Sequence, residues 1–259
     1  MPEHETPDRA SGVFETLLVV DGAPVELDAH LARLRASAQA LFGAEPPAEI
    51  ARRALEVSAA FPLGRLRLTV APSAGAAASA LVADVVAHPV DPEQLFPPWE
   101  RGVALDPLRI AGGLGEHKWV DRRRLETAVA ATASDRLPLV LDDGEEVLEA
   151  SRANVFAVED GALLTPAADG RILPGVGRAR AIDAARALGL ELREEPFDLR
   201  RLLAAGEAFV TGSVRGVEPV RAVGDAALAA PGEEARAVAG ELRRRWIGVG
   251  ASGSPAAAR

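Results

Sequence analysis

Three Asp-Gly pairs, Asp21-Gly22, Asp143-Gly144 and Asp160-Gly161, each stand between short runs rich in β-branched and other apolar residues. Asp-Gly in that setting favours the tight turn of a hairpin, because glycine takes the positive φ that the turn requires. Antiparallel pairs are therefore expected at Val13–Val20 with Pro24–Leu27, at Leu137–Asp142 with Val147–Glu149, and at Asn154–Glu159 with Ala162–Thr165. A further pair, Leu66–Ala71 and Ala80–His88, flanks a loop of small residues, Pro72–Ser79. Helical patterns lie between the hairpins. Asp28 can cap a helix over Ala29–Phe42, which places Leu31, Leu34, Ala38 and Leu41 on one face and ends at Gly43. Other helices fit Ala48–Ala60, Asp121–Ala133, Arg178–Leu188 and Glu233–Trp246, and further strands fit Gly102–Leu105 and Glu207–Thr211. Hairpins and helices mixed without regular βαβ alternation predict an α+β fold and argue against a doubly wound sheet. No repeat with a 20–50 residue period is visible.

The segment His88–Glu100 carries four prolines and reads as a junction. It divides the chain into an expected small N-terminal α+β unit, residues 1–95, and a larger unit, residues 96–248. The small, polar stretch 249–259 is expected to be disordered. Composition narrows the function classes. With no Cys, disulfides, thiolate zinc sites, iron–sulfur clusters and cysteine nucleophiles are excluded. A net charge of −9 without a basic block argues against nucleic acid as a partner. No apolar run approaches the ~18 residues of a membrane span, and the polar N-terminus MPEHETPDRAS does not read as a secretory signal. A soluble, cytoplasmic protein is expected.

The basic residues are unequally divided. Of the 29 Lys and Arg residues, 28 are Arg, and Lys118 is the one lysine. A guanidinium stays charged at working pH, whereas a lysine amine can lose its proton and form a Schiff base with a carbonyl. The loop Gly112-Gly113-Leu114-Gly115-Glu116-His117-Lys118 resembles a phosphate loop only superficially. A Walker motif needs Gly before the Lys and Ser or Thr after it, where His117 and Trp119 stand. The four His residues, at 4, 30, 88 and 117, are scattered, so no metal site is expected. Asp142, Asp143, Glu145 and Glu146 read as a solvated turn. A more coherent set is Lys118 at a loop–helix start, Glu149 at a strand end, Gly175-Val176-Gly177 opening a helix, Thr211-Gly212-Ser213 ending a strand, and Arg33. One amine, one carboxylate and several phosphate donors are the parts that pyridoxal phosphate needs. Taken singly, each residue has an ordinary structural reading.

Six stretches in order resemble the class IV aminotransferase family, the fold-type IV pyridoxal phosphate enzymes. They are Gly12-Val-Phe-Glu-Thr16, His30-Leu-Ala-Arg-Leu34, Lys118, Glu149-Ala-Ser-Arg-Ala-Asn-Val-Phe156, Leu173-Pro-Gly-Val-Gly-Arg178 and Thr211-Gly-Ser213. The resemblance covers about residues 12–225. It implies a small α/β domain, a larger β-barrel-like domain, the cofactor between them, and a homodimer acting on a small amino substrate. It also implies residue roles. Lys118 would be the Schiff-base amine and the proton-transfer base. Arg33 would bind the cofactor phosphate, with backbone N–H groups of Val176 and Gly177 and the hydroxyl of Ser213. Glu149 would face the pyridine nitrogen, Asn154 would support the cofactor, and Leu173 would pack on its ring. Gly177 stands where the family usually has Thr. Within the family, Phe14-Glu15-Thr16 and Lys118-Trp-Val-Asp-Arg122 look most like the lyases that release 4-aminobenzoate and pyruvate from 4-amino-4-deoxychorismate, and Thr16 would then assist proton transfer. The chain has no Tyr, and Arg123 stands where branched-chain and D-amino-acid transaminases carry one. It departs from the lyase pattern at Ala71–Ser79 and lacks most of the strand that usually precedes Gly12. A transaminase using D- or branched-chain amino acids is the alternative activity, and a regulatory protein on the same scaffold is the non-enzymatic one.

Overall fold

The computed structural model describes residues 6–73, 80–130 and 136–248. Most of the expected loop at 72–79, the end of the expected helix at 121–133, and the expected disordered tail at 249–259 lie outside them.

Among the described residues, the chain folds into two sheets and six α-helices. The first sheet holds β1 (Val13–Val20), β2 (Ala23–Pro24), β3 (Leu63–Pro72) and β4 (Leu81–Pro89) in the antiparallel order β2-β1-β3-β4. Helices α1 (Leu27–Phe42) and α2 (Ile50–Ser58) follow the first hairpin and pack their apolar faces on this sheet. β1 is buried on both faces, which explains its nearly unbroken apolar run. Leu17 and Val19 meet Leu31 and Leu34 of α1, whereas Leu18 faces a different cluster that includes Phe96 and Trp246.

The second sheet is built from β5 (Val103–Arg109), β6 (Leu137–Leu141), β7 (Val147–Ala150), β8 (Asn154–Glu159), β9 (Ala162–Thr165), β10 (Leu192–Glu194), β11 (Glu207–Gly212), β12 (Gly216–Val223) and β13 (Ala226–Ala227). Its order is β10-β9-β8-β11-β12-β5-β6-β7, with β13 on β12. An isolated bridge between Ala150 and Ala153 ties the end of β7 to the start of β8, so the sheet curls around a core. Side chains alternate with the pleat. Val155, Ala157, Ala208 and Val210 point into that core, while Phe156, Val158 and Phe209 point outward beneath α4 (Val176–Ala187) and α6 (Glu233–Ile247). The α+β expectation and the barrel-like character of the second sheet both hold. The remaining helices, α3 (Arg123–Ala130) and α5 (Leu199–Ala204), lie at its periphery.

Several local expectations change. Asp28 does not cap α1. The helix begins at Leu27 behind Glu26, whose left-handed backbone (φ 55°) turns the chain, and Asp28 sits inside the first turn, where its charge complements the helix dipole. This early start also shortens the returning strand to Ala23–Pro24. Helix α4 starts at Val176, two residues before the expected Arg178. Strand β12 has no sequence signal, because Pro219 lies in its middle. The structure accommodates the proline where β12 changes partners: Gly216–Pro219 pair with β11, and Val220–Val223 pair with β5 across a bulge. Gly12, just before β1, has φ 80° and lies so close to β3 that an added Cβ would come 2.1 Å from the Val70 carbonyl oxygen.

Phe209 and Phe156 stack at 4.9 Å with their rings 4° apart, and both are fully buried. Phe209→Ala is expected to lower unfolding free energy by about 3–5 kcal/mol, measured by urea denaturation. A loss below ~1 kcal/mol would mean that this outer core is not part of the cooperative unit.

Candidate active site

The acidic residue within the apolar β1 is the starting point. Glu15 is 1% exposed, so its charge requires partners. Helix α1 supplies them from two residues three apart, on one face. Glu15 Oε2 accepts from His30 Nδ1 at 2.7 Å and from Arg33 Nη2 at 2.6 Å, while Oε1 accepts from Arg33 Nε at 2.8 Å. Burial acting alone would push this carboxyl up, but the charge and hydrogen bonds of Arg33, with help from His30, hold it down at about 2. Arg33 also donates from Nη1 to the Pro174 carbonyl at 2.8 Å, which ties the first sheet's helix to the loop that precedes α4. A guanidinium has five N–H donors, so two remain for a ligand.

Lys118 is positioned by backbone. Its carbonyl accepts from Phe14 N at 2.9 Å, Val120 N donates to Gly12 O at 3.0 Å, and Val13 bridges to Trp119. The lysine segment is thus stitched to the free side of β1. Its Nζ lies 4.9 Å from the centre of the Phe14 ring. Burial, reinforced by the nearby charges of Arg33 and Arg122, lowers the amine to about 8.

Glu149, on β7, is 4% exposed, and burial raises its carboxyl to about 8. Leu173 N donates to both of its oxygens at 3.3 Å, and Asn154 Nδ2 lies 3.4 Å from Oε2. The Asn154 amide also donates to the Leu173 carbonyl at 2.9 Å, so one side chain fixes both Glu149 and the loop opposite. That loop passes very close: a Cβ at Gly175 would lie 2.0 Å from Asn154 Oδ1, so any side chain there would displace the Asn154 amide from its contacts.

These groups border one cavity of about 650 Å³. Thr16, Arg33, Lys118, Glu149, Asn154, Leu173, Gly177 and Ser213 all line it. Val176 does not: its side chain is buried away from the cavity, and it contributes the first residue of α4, where N–H groups have no partner within the helix. Sequence reasoning gave no role to Glu15, which stood out as a lone carboxylate in an apolar strand. It placed Thr211 in the Thr211-Gly212-Ser213 stretch but gave a role only to Ser213; the buried Oγ1 of Thr211 borders the same cavity with no hydrogen-bond partner among the described residues. A buried amine, a buried carboxyl, an orphan hydroxyl and a helix start converge there. The arrangement suits a ligand carrying both an anionic group and a group that pairs with a carboxyl.

Comparison with known proteins agrees with this geometry. The model of the family described as amino-transferase class IV matches residues 12–223. Branched-chain-amino-acid aminotransferase 1, mitochondrial, of Arabidopsis thaliana is 38% identical over 90 residues, which are 35% of this chain and 23% of that protein. The match thus spans only about a quarter of that relative's length. Two solved structures align along nearly their whole length. A 4-amino-4-deoxychorismate lyase from Pseudomonas aeruginosa has a TM-score of 0.72 and 29% identity, covering 93% of this chain and 96% of that one. A hypothetical aminotransferase from Mycobacterium tuberculosis, in its PLP-bound form, has a TM-score of 0.79 and 25% identity, covering 95% of both chains.

The Glu15 cluster sets a pH dependence. Its folded value lies below the ordinary 4.5, so its contribution is present above pH 4.5 and is lost as pH falls toward 2. For the chain by itself, Glu149 runs in the opposite direction, and Lys118 runs in the same direction as Glu15 but at higher pH. The stability held by neutral Glu149 is lost as pH rises from 4.5 through 8, and that held by neutral Lys118 is lost as pH falls from 10.5 through 8. Glu15→Gln is expected to destabilise by about 3–5 kcal/mol at pH 7, because it leaves Arg33 without its anion, and to flatten the acid limb of the stability–pH curve between 4.5 and 2. An unchanged acid limb in the variant would contradict this assignment.

Proposed function

The chain belongs to the amino-transferase class IV family, and from that premise we propose that it is a lyase converting 4-amino-4-deoxychorismate to 4-aminobenzoate and pyruvate, with pyridoxal phosphate bound in the cavity between the two sheets. The family is one of pyridoxal phosphate-dependent enzymes. The observation that carries the cofactor assignment is the presence of Lys118 and Glu149 in one cavity, each driven toward its neutral form by burial. The lyase activity is supported by the 29% identity to the Pseudomonas aeruginosa lyase over nearly all of both chains, and by the absence of any tyrosine.

The residues fit the cofactor. Arg33 has two N–H donors left, α4 opens with free N–H groups at Val176 and Gly177, and the hydroxyls of Thr211 and Ser213 border the same cavity; together these would hold a phosphate. Gly177 in place of the usual Thr leaves Thr211 and Ser213 as the hydroxyl donors. Glu149 would pair with the ring nitrogen, whose positive charge favours the ionised carboxylate that burial alone opposes. Asn154 keeps Glu149 in place, and Leu173 borders the ring. Bound there, pyridoxal phosphate supplies a carbonyl that condenses with amines and a ring that withdraws electrons from the carbon bearing the nitrogen.

The protein's own part is acid–base work. Lys118 Nζ, lowered to about 8, takes the proton from the substrate's amine-bearing carbon. Thr16, on the same wall, would assist proton delivery as the pyruvate portion leaves. The working unit in this reading is a homodimer. Leu55, Val82 and Val86, exposed at 53%, 51% and 37% on α2 and β4, provide apolar surface for such a contact.

Purified protein supplied with pyridoxal phosphate is expected to show visible absorbance, and borohydride should fix the cofactor to Lys118. Lys118→Arg should abolish both the covalent attachment and turnover; a variant that still turns over removes Lys118 from its role. A second reading, a transaminase, is favoured by the identity to the branched-chain enzyme. Product analysis separates the two. The lyase releases 4-aminobenzoate and pyruvate with no second substrate, whereas a keto acid formed only when a second keto acid is supplied would establish the transaminase.

A further inference from the structure

The cavity wall is rich in arginine, and most of these residues already have partners. Arg33 is held by Glu15, Arg152 and Arg215 share the buried Glu218, and Arg124 donates to the carbonyls of Ala111 and Gly113. Arg122, Arg67 and the exposed Arg65, whose charge adds to that of Arg67, differ. Arg122, half-buried, donates from Nη2 to the Ser151 carbonyl at 2.5 Å, and no carboxylate among the described residues lies within ion-pair distance of it. Arg67 comes from β3, opposite Thr16 in the β1–β3 register, and its guanidinium lies 3.8 Å from the centre of the Phe14 ring. Lys118 Nζ approaches the same ring at 4.9 Å.

Arg122 is therefore near enough to act on the Lys118 amine, and Arg67 shares the Phe14 ring with that amine. The charges of Arg122 and Lys118 act on one another, as do those of Arg122 and Arg67, so the three form one positive region. Glu15 is engaged by Arg33, Glu149 would be engaged by the cofactor's ring nitrogen, and Glu126, one turn along α3, acts on Arg122 only from beyond ion-pair distance. A partly desolvated guanidinium with no carboxylate of the described residues in direct contact is costly, and a planar carboxylate matches its paired N–H groups. The Ser151 contact occupies one donor of Arg122 and orients the rest.

We propose that Arg122 receives a carboxylate of the amino substrate, with Arg67 across the Phe14 ring as the second positive charge that aligns it. The site then selects small amino compounds bearing carboxylates over neutral ones of the same shape. This rests on the reading of the cavity as the substrate site. Among the arginines near the reaction, Arg109 is unsuited because it is an exposed strand-end residue outside the cavity wall, and Arg215 because Glu218 already holds it.

Calorimetric titration of the holoenzyme with isophthalate and with its neutral diamide, isophthalamide, tests the proposal. The wild type should bind isophthalate about tenfold or more tightly than the diamide. Arg122→Gln should lose about tenfold for isophthalate and leave the diamide unchanged, Arg122→Lys should fall between, and Arg67→Gln should weaken isophthalate alone. Equal loss of both probes in Arg122→Gln would make Arg122 a structural residue and overturn the proposal, as would a wild type with no preference. Arg67 is exposed, so its variant remains informative if Arg122→Gln does not fold. The cofactor assignment fails separately. A wild type without the visible band refutes pyridoxal phosphate binding, while the isophthalate titration still reads out on the same protein.

Discussion

Everything around the cavity depends on the contact between Glu15 and Arg33. It joins β1 to α1 within the first sheet, and through the Pro174 carbonyl it reaches the loop that opens α4 on the second. A buried ion pair is seldom a net gain in stability, because desolvation consumes much of its attraction. Its value here is geometric. A two-pronged contact, with His30 on the same carboxylate, leaves Arg33 few other orientations and holds its guanidinium at the cavity wall beside the Pro174 carbonyl. The same arrangement leaves Arg33 charged beside Lys118, which contributes to the low proton affinity of the amine. One carboxylate thereby fixes the position of Arg33 on the cavity wall and, through it, bears on the acidity of the neighbouring amine.

Much of this was legible in the chain. The Asp-Gly turns located three hairpins because their signal is local, and the period-2 burial of β8 and β11 follows from alternating side chains. The parts that escaped notice depend on distant partners. β12 contains Pro219, which local rules place outside a central strand; only the change of partner from β11 to β5 makes it tolerable. Asp28 looked like a cap because its neighbours fit a helix, but Glu26 turns the chain first.

The site shows the same division. Lys118, Glu149, Asn154, Leu173, Gly177 and Ser213 were legible because chemistry singles out their residue types, or because their motifs occur in family order. Thr211 was named with Ser213 but given no role of its own, since a threonine in a strand is unremarkable until its hydroxyl is found buried without a partner. Arg122 and Arg67 could not be ranked among 28 arginines, because what distinguishes them is a place on the cavity wall with no ion-pair partner among the described residues, and that exists only in three dimensions.

The stitching of the lysine segment to β1 also bears on how the chain folds. Arg33 and Pro174 are 141 positions apart, and Asp8 donates to the Asp121 carboxylate from 113 positions away. Contacts that close such long loops carry a large entropic cost and are expected to form after the hairpins, whose strands are near neighbours in sequence. Each hairpin can nucleate without the other sheet, but the amine enters its water-poor surroundings only when the two sheets meet. The chemistry of Lys118 is therefore a late acquisition in folding. A chain arrested with both sheets formed but undocked would carry an ordinary, fully protonated surface lysine, chemically silent until the last long-range contacts close.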